Sequence, residues 1–499
     1  MNNVEQKWWL WPAISLFTVL VLLNVLPGFF ALKATYLWTD IFIFLLLVMV
    51  VMFSAYIRSK EHLSRPWKRV FERKMAMASA VVLFVFVVVG LLDSIHFRLP
   101  LTQQQGAEVH YSVDVSSVLD VLTSDLHEKI EKTYSAPFAI QAFTKETIDL
   151  PGGGSQRIYP RLKYGGAHLE KPEEQRMADI TWRSANSVWQ SIIAMLFLLL
   201  VVTMVSARYT RQKFSFLLTQ VLRGETHLPW RVAILVTWVI LLIVLFLINT
   251  ATHYHVFGTD KVGQDVLYLS LKSIRTGLVI GSLTTMVMLP FAVLMGVMAG
   301  YFQGWIDDVI QYIYTTLNSI PGVLLIAAAI LSIQVFISNH PDMFGTSIER
   351  SDLRLLALCF ILGITSWTGL CRLLRGEAFK LRELEYIQAA QAFGVKNLRI
   401  ISRHILPNIM HIVLIIVVLD FSGLVLAEAV LSYVGVGVDP STNSWGNMIN
   451  AARLEMAREP LVWWSLAAAF SFMFILVLAA NLFSDAVRDA FDPRMQRQK

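Results

Sequence analysis

Cysteine and charge are both scarce in this chain of 499 residues. It has two cysteines, and Asp, Glu, Lys and Arg together make up 16% of the sequence. Cys359 and Cys371 fall within or at the end of one apolar run, so they provide no disulfide framework and are predicted to be packing residues. With 56% apolar residues and few charges, the chain cannot bury its apolar surface in one soluble core.

The sequence also lacks a phosphate-binding loop. No Gly-x-x-x-x-Gly-Lys followed by Ser or Thr occurs anywhere in it, so we do not expect this chain to hydrolyse a nucleotide. The one dense run of glycines, Pro151-Gly-Gly-Gly-Ser155, is followed by neither a lysine nor a helical pattern. We therefore predict a flexible turn there.

Long apolar runs are what the sequence has instead. Ten of them are long enough to cross the hydrocarbon layer of a membrane at about 1.5 Å per helical residue. They lie near residues 8–31, 37–57, 75–92, 188–206, 231–250, 275–300, 308–338, 353–373, 410–432 and 462–484. The first run is longer than a signal-peptide core and shows no small-residue cleavage site, so we expect a retained anchor. Together the runs predict an all-α polytopic membrane protein.

The charges between the runs predict the orientation of the chain. Residues 58–74 contain seven Lys and Arg against two acids, and residues 208–231 contain five against one. The connector 374–409 and the C-terminal tail are also basic. Because basic connectors stay in the cytoplasm, both termini are predicted to be cytoplasmic. The excess of basic residues that gives the net charge of +6 lies mostly in these connectors, where it sets the orientation of the chain. It therefore does not indicate a nucleic-acid partner.

The long connector 93–187 has a different character. Its ten Lys and Arg are balanced by thirteen Asp and Glu, which predicts an extracytoplasmic segment. Alternation over 108–115 and 138–148 indicates strands, and the spacing of apolar residues over 118–132 indicates a helix. We expect a small α/β domain.

Residues 377–408 form a polar and charged island between two apolar runs. The pattern predicts a helix, a break at Gly394, a second short helix and a proline stop at Pro407. An apolar stripe runs along the first helix, formed by Leu384, Ile387 and Ala390. Small side chains next to this stripe allow a partner to approach closely. We interpret the island as an ordered docking surface; the alternative is an amphipathic helix that lies on lipid headgroups.

The island resembles the EAA loop of bacterial binding-protein-dependent ABC importer permeases. The matching pattern is Gln388-Ala389-Ala390, then Gly394 after three residues, then Leu406-Pro407. Further matching motifs are Gly258-Thr-Asp260, Gly263-Gln-Asp265-Val266, Gly300-Tyr-Phe-Gln-Gly304-Trp305, Ile320-Pro321, Glu428-Ala429, Gly435-Val-Gly437, Trp445-Gly-Asn447-Met448 and Arg488-Asp489-Ala490-Phe491-Asp492-Pro493. Together they resemble the second permease subunit of dipeptide and oligopeptide importers, of the peptide/nickel family.

The resemblance implies a division of the chain. Residues 231–499 would form a six-helix type I importer core, and residues 1–230 a four-helix membrane extension with the extracytoplasmic domain at 93–187. The island would carry the contact to a separate ATPase. The residues that the resemblance assigns to this contact are Gln388, Ala389, Ala390, Gly394, Leu406 and Pro407. Two positions depart from the family pattern, since Gln388 replaces a glutamate and His404 replaces an apolar residue.

The resemblance also implies the partners. They are a second permease subunit in a heterodimer, two cytoplasmic ATPase subunits that bind ATP and Mg, and a periplasmic binding protein, all at a bacterial inner membrane. The chain itself would be a transporter subunit without a catalytic residue, cofactor or metal. Peptides are the expected cargo, with nickel or a peptide-like antibiotic as alternatives. A sensory receptor and a proton-coupled secondary transporter are alternatives of a different class.

Five further residues are candidates for a translocation path or gate. They are Asp420, Glu428, Gly435, Gly437 and Trp445. An acid within an apolar span is costly unless it is paired or faces water. Asp420 therefore either lines the path or is buried and paired, and Glu428 either lines it or anchors the glycine-rich segment that follows. The resemblance assigns that segment to an external gate; a plain interfacial turn is the alternative.

A short segment before the second core run contains polar residues with structural roles. Thr259 or Asp260 is predicted to form a turn and to cap the helix that follows. His253 and His255 lie two residues apart without a third ligand nearby. We predict solvated loop histidines there rather than a metal site.

Overall fold

The computed structural model describes residues 33–100, 110–149, 155–340 and 346–491. The first predicted span, residues 8–31, lies outside the described residues, as do the last residues of the C-terminal motif and the basic tail after it. Residues 151–154 of the predicted glycine turn and residues 108–109 of the first predicted strand also lie outside them.

Helices make up most of the described chain. They are α1 (Trp38–Ser59), α2 (Glu61–Glu72), α3 (Lys74–Asp93), α4 (Val118–Leu122), α5 (Ser124–Glu128), α6 (Pro172–Thr210), α7 (Phe214–Arg223), α8 (Trp230–Ala251), α9 (Val266–Phe302), α10 (Gly304–Ser319), α11 (Gly322–Asn339), α12 (Ser347–Arg382), α13 (Glu385–Ala392), α14 (Asn397–Ile400), α15 (Leu406–Tyr433), α16 (Trp445–Glu455) and α17 (Trp464–Phe491). The strands are β1 (Lys33–Thr35), β2 (His96–Arg98), β3 (Ser116–Ser117), β4 (Glu146–Asp149) and β5 (Ser155–Ile158).

Nine helices of the described part are long and apolar enough to cross a membrane. They are α1, α3, α6, α8, α9, α11, α12, the continuous helix Asn397–Tyr433, and α17. Each corresponds to one of the nine predicted runs from 37–57 onward, so the prediction of an all-α polytopic protein is confirmed. The helix that contains run 188–206 is much longer than predicted and begins at Pro172.

The predicted span 308–338 is wrong in one respect, because two helices occupy it. Helix α10 ends at Ser319 and α11 begins at Gly322. Between them, Ile320 has the extended backbone that a following proline favours. Pro321 lacks the N–H that a continuous helix would need there. Of the two helices, only α11 is both long and apolar enough to span a membrane, because α10 has 16 residues.

The described residues between 94 and 171, which are 94–100, 110–149 and 155–171, form a small domain at one end of the helix bundle, the domain end. The opposite end carries residues 377–408 and is the loop end. Strand β2 pairs antiparallel with both β1 and β3, so the segment before α1 joins this domain. Strands β4 and β5 form a separate antiparallel pair. The short strands and the helices α4 and α5 give the domain the α/β character that the sequence predicts.

The elements of the small domain differ in detail from the prediction. In the described part of the predicted strand 108–115, only Tyr111 pairs, in an isolated β-bridge with Pro100. The observed strand β3 begins after it, at Ser116. The predicted helix 118–132 is two short helices, and a reciprocal capping box of Ser117 and Asp120 starts the first. The strand predicted over 138–148 is confined to β4, while residues 172–187 belong to α6.

Close packing of α9 against α12 forms the centre of the bundle, and glycines permit it. A Cβ on Gly296 would lie 2.9 Å from the carbonyl oxygen of Cys371. A Cβ on Gly300 would lie 2.7 Å from the Cβ of Ala378. Both distances are shorter than any normal contact, so the two helix backbones touch at their loop ends. The predicted packing role of Cys371 agrees with its burial.

The N-terminal helices pack on this centre. Helix α3 contacts α8, α9 and α17, α6 lies along α8, and α1 contacts α9 and α12. Helix α2 lies against the last turns of α17, where the Trp67 and Phe491 rings meet edge to face at 5.5 Å and Arg73 bonds Asp489 at 2.5 Å. Helices α1, α2, α3 and α6 are thus joined to the rest of the chain by side-chain packing.

Replacement of Gly300 by alanine tests the α9–α12 contact. The added methyl group has no room, so we expect Gly300→Ala to cost about 1–3 kcal/mol in stability and to lower the thermal unfolding midpoint in detergent. Gly376→Ala is the matched control, because a Cβ there meets nothing within 4 Å and alanine favours a helix. Equal midpoints for the two variants would contradict the packing.

Candidate functional site

The island at 377–408 folds as a helix, a tight turn and a second helix at the loop end. Helix α13 ends at Ala392, and Gly394 reverses the chain with a φ of +73°, a left-handed conformation that glycine adopts without strain. The second helix begins at Asn397. The predicted break at Gly394 therefore matches the structure.

The predicted proline stop at Pro407 is wrong. Helix α14 continues through a π-helical turn, Ile401–Ile405, directly into α15. Pro407 is the second residue of α15 and lies inside this continuous helix, where it lacks the N–H for a regular helical hydrogen bond. The π turn directly before it has a wider hydrogen-bond step than an α-helix, so the regular pattern is already interrupted at this point. The second half of the island is thus the first part of a membrane-spanning helix.

Isoleucines hold the island in place. Ile387, Ile400 and Ile405 are fully buried in the core that α9, α10 and α12 form at the loop end. The predicted apolar stripe is therefore divided, because Ile387 packs into the chain's own core while Leu384 stays exposed. The island is a fixed part of the bundle.

Two apolar side chains project from the turn. Phe393 is 88% exposed and Leu398 is 81% exposed, one on each side of Gly394. Exposed apolar side chains that form a patch mark contacts with another protein or with a membrane. Neither residue is among the contact residues predicted from the sequence, although apolar residues beside a glycine within a polar island are a usable signal.

The predicted contact residues lie around this turn. Gln388, Ala389, Gly394 and Pro407 are exposed. Ala390 and Leu406 are partly buried against the same core. The side-chain amide of Gln388 donates a hydrogen bond to the exposed carboxylate of Glu383 at 3.3 Å. A negative charge therefore lies beside the position where the family pattern has glutamate.

Polar side chains join the island to α9, and a salt bridge joins α12 to α10. The Tyr301 hydroxyl donates to the side-chain oxygen of Asn397 at 2.9 Å and accepts from the amide of Gln391 at 3.2 Å. The Arg375 guanidinium bonds both carboxylate oxygens of Asp307, at 2.5 and 2.7 Å. This arginine lowers the pKa of Asp307. A force on the island would act directly on the end of α9.

The two candidate acids on α15 have different surroundings. Glu428 is buried, and its carboxylate accepts a hydrogen bond of 2.7 Å from Ser432, whose hydroxyl also accepts from the Val438 N–H at 3.3 Å. Asp420 is half-buried and has no ion-pair or hydrogen-bond partner in the described part of the chain. Glu428 is thus linked through the Ser432 hydroxyl to the glycine-rich segment, whereas Asp420 has no such link among the described residues.

The remaining gate candidates lie after α15 at the domain end. Gly435 is exposed with a φ of +84°, and Gly437 packs so tightly on Ser432 that a side chain would collide. Trp445 is buried rather than interfacial, and its indole N–H donates to the Ser270 carbonyl at 3.2 Å. These residues join the end of α15 to α9.

Three ion clusters at the domain end were not predicted from the sequence. The first surrounds Arg275 of α9, which bonds Asp40 at 2.6 Å and the Thr39 hydroxyl at 2.7 Å. Asp40 also bonds His96 Nδ1 at 2.7 Å, and the Thr39 hydroxyl bonds Asp352 of α12. Four segments of the chain thus meet at one buried guanidinium.

The second cluster surrounds Lys272, one helical turn nearer the start of α9. Its ammonium group lies 2.6 Å from Asp93 and 2.9 Å from Asp120. The Ser117 hydroxyl donates to Asp93 at 2.7 Å, and the Tyr268 hydroxyl donates to Asp120 at 2.9 Å. Both acids belong to the end of α3 or to the small domain.

The third cluster surrounds His255 and corrects the prediction of solvated loop histidines. His255 is 4% exposed, with Nδ1 2.7 Å from Asp265 and Nε2 3.5 Å from Glu131. Asp265, rather than Thr259 or Asp260, caps α9 by accepting the N–H groups of the second and third residues after it. His253 is half-buried against the ring of His168, 4.6 Å between centroids.

Burial and neighbouring charges shift the pKa values of His255 and Glu131 in opposite directions. Burial would lower the pKa of His255, but the hydrogen bond to Asp265 and the nearby Glu131 carboxylate outweigh it and raise the pKa to about 9. Burial would raise the pKa of Glu131, but His255 and the backbone N–H groups of residues 163–165 lower it to about 2. The pair is therefore ionised near neutral pH.

Comparison with known proteins places the chain in a family. Residues 292–497 match the model of the binding-protein-dependent transport system inner membrane component. A dipeptide transport system permease protein of Alkalihalophilus pseudofirmus is 34% identical over 242 residues, which cover 48% of this chain and 73% of that protein. The chain belongs to this permease family. It is a multi-pass inner membrane protein.

Other relatives of the permease carry related names. A glutathione transport system permease protein of Pectobacterium atrosepticum is 31% identical over 244 residues, 48% of this chain and 73% of that protein. An oligopeptide transport system permease protein of Mycobacterium bovis is 30% identical over 239 residues, 48% of this chain and 76% of that protein. Each match spans about half of the permease described here.

The pH dependence of the permease's stability tests the third cluster. A pKa of His255 raised from 6.5 to about 9 means that the folded state binds the proton more tightly. This contribution, about 3 kcal/mol, is complete below pH 6.5 and is lost as the pH rises through 9. Hydrogen exchange of the segment 253–265 should therefore accelerate between pH 7 and 10 beyond the intrinsic chemical increase.

His255→Gln is the control for this measurement. Glutamine cannot titrate, so the exchange rates of the variant, corrected for intrinsic chemistry, should show a flat pH profile at a lower protection. Glu131 acts in the opposite direction, because its lowered pKa makes its contribution disappear only as the pH falls from 4.5 toward 2. Equal pH slopes for wild type and His255→Gln would refute the assignment.

Proposed function

We propose that the permease is one of two membrane subunits of an ATP-driven importer of peptides, with the loop end and both termini in the cytoplasm. A second permease subunit would complete the translocation path. Two cytoplasmic ATPase subunits would bind ATP and Mg, and a periplasmic binding protein would deliver the cargo. Residues 231–499 would form the transport core, and residues 1–230 an extension that carries a periplasmic domain within 93–187.

The exposed turn at Gly394 is the observation that carries the coupling role. Phe393 and Leu398 are exposed, while Ile387, Ile400 and Ile405 fix the two helices that present them. A rigid base with apolar tips fits a groove on a partner protein, because little freedom is lost when it binds. The chain has no phosphate-binding loop, so the ATPase must be a separate partner. The exposed Glu383 beside Gln388 supplies negative charge at this contact.

The contacts of α9 and α12 support movement of the island together with the membrane helices. Tyr301 and Arg375 join the island and α10 to the loop ends of these two helices. ATP-driven closure of the partner subunits would therefore displace α9 and α12 as rigid elements, and alternating access would follow.

Peptides are the proposed cargo because the relatives are named for dipeptides, oligopeptides and glutathione. Glutathione is itself a small peptide, so the three names share one chemical class. Asp420, which has no partner in the described part of the chain, would line the path and attract the cationic amino terminus of such a cargo.

A periplasmic binding protein would dock at the domain end. Exposed apolar side chains occur there on both the small domain and the core, on Val121, Leu122, Ile130, Val262 and Leu454. Side chains of this kind at a surface favour contact with another protein. We propose that the small domain enlarges the surface on which the binding protein docks.

Reconstitution tests the function as a whole. The tagged permease, purified with its partners and placed in liposomes, should hydrolyse ATP several-fold faster when peptide-loaded binding protein is added, and labelled peptide should accumulate. Dissipation of the proton gradient should leave uptake unchanged. A complex without any ATPase, or uptake that follows the proton gradient instead of ATP, would overturn the proposal. In the same assay, Asp420→Asn should require more peptide for equal uptake.

Substitution at Gly394 tests the coupling contact. Valine in the left-handed conformation costs about 1–2 kcal/mol, so Gly394→Val should weaken copurification of the ATPase about tenfold while membrane insertion is unchanged. Gly394→Asn is the matched control, because asparagine adopts this conformation readily. Since nothing lies within 4 Å of a Cβ at this position, only the backbone distinguishes the two. Copurification lost equally in both variants, or in neither, would contradict the role of the turn.

A further inference from the structure

We propose that the small domain at 94–171 moves as one rigid unit with the domain end of α9 during transport. The proposal rests on the transport function proposed above, and it concerns a part of the chain that lies outside the matched residues 292–497. A domain inserted between membrane helices could instead be a loosely attached appendage. The contacts decide between these two arrangements.

All three ion clusters end on α9 or on the segment 253–265 directly before it. Arg275 and Lys272 are on α9, and His255 is on the segment. Because Glu131 and Asp120 are largely buried, separation of the domain from α9 would take each of these two carboxylates away from its cation at a cost in free energy. The remaining acids of the clusters, Asp40, Asp93, Asp265 and Asp352, lie on α1, α3, the segment and α12.

Backbone hydrogen bonds continue the same contact. The Glu131 N–H donates to the Gly263 carbonyl and the Thr259 N–H to the Ser135 carbonyl, both at 3.0 Å. The Phe138 N–H donates to the His255 carbonyl at 3.0 Å, and the Gly166 N–H to the His253 carbonyl at 2.8 Å. The segment 253–265 is thus bonded along its length to the small domain.

Two glycines show how closely the surfaces fit. Gly258 and Gly263 have φ values of +70° and +78°. A side chain on Gly258 would collide with the Ser135 carbonyl, and one on Gly263 with the Glu131 carbonyl. From the other side, the indole N–H of Trp464 donates to the Thr259 carbonyl at 2.9 Å. The segment is therefore enclosed between the small domain and α17.

Helix α9 is long enough to connect the small domain to the island at the opposite end of the bundle. At about 1.5 Å per residue, a helix from Val266 to Phe302 spans about 55 Å. Its first turns are bonded to Asp120 of the small domain through Tyr268 and Lys272. Its last turn, through Tyr301, is bonded to the island. A protein that docks on the small domain would therefore act on the same helix as the ATPase.

A disulfide across the contact tests the proposal. The hydroxyl oxygens of Ser135 and Thr259 are 3.1 Å apart, and both side chains are fully buried, so Ser135→Cys with Thr259→Cys brings two thiols within bonding reach. We expect the disulfide to form in the full complex, and peptide uptake to change by less than twofold between the oxidised and the reduced protein. Each single cysteine variant, oxidised in parallel, controls for the substitutions.

Three results would overturn the proposal. One is failure of the disulfide to form, because the two residues would not stay adjacent. Another is a more than tenfold loss of uptake on oxidation that reduction restores. The third is a cross-linking rate that differs severalfold between the resting complex and the complex trapped with a non-hydrolysable ATP analogue. If wild-type protein takes up no peptide, the transport function fails, while cross-link formation and its rate still test the rigid contact.

Discussion

The pairing of buried cations at the domain end is the constraint on which the rest of the structure depends. Arg275 and Lys272 lie on a membrane-spanning helix, where an unpaired positive charge is costly. Their partners Asp40, Asp93 and Asp120 all come from segments before residue 230. A chain reduced to residues 231–499 would therefore keep the two cations and lose these three acids, with Asp352 left as an acid near Arg275.

The loop end is held together by apolar burial rather than by ion pairs. There the fixed point is apolar burial of Ile387, Ile400 and Ile405, which leaves the turn at Gly394 rigid and its flanking side chains free to meet a partner. Strong internal pairing at one end and an exposed apolar tip at the other suit a subunit that keeps its own shape and receives force from outside. The long helix α9 connects the two ends.

The sequence predicts the membrane helices well because an apolar run is a local signal that needs no knowledge of contacts. The turn at Gly394 and the break near Pro321 are local in the same way, although the apolar run 308–338 predicts a continuous span across that break. Burial of His255 and the division of the apolar stripe at Ile387 depend on what packs against them. The ion clusters were out of reach, since Arg275 and Asp40 are 235 positions apart, and no pattern in one sequence pairs residues so distant.

The order of the charges along the chain has a consequence for biosynthesis. Four acids that pair with Arg275, Lys272 or His255, namely Asp40, Asp93, Asp120 and Glu131, precede these cations in the sequence, whereas Asp265 follows His255 and Asp352 follows Arg275. A chain made from its N-terminus folds its early segments first. The four early acids are therefore synthesised before α9, so counter-ions for Arg275 and Lys272 are present in the chain when this helix is made.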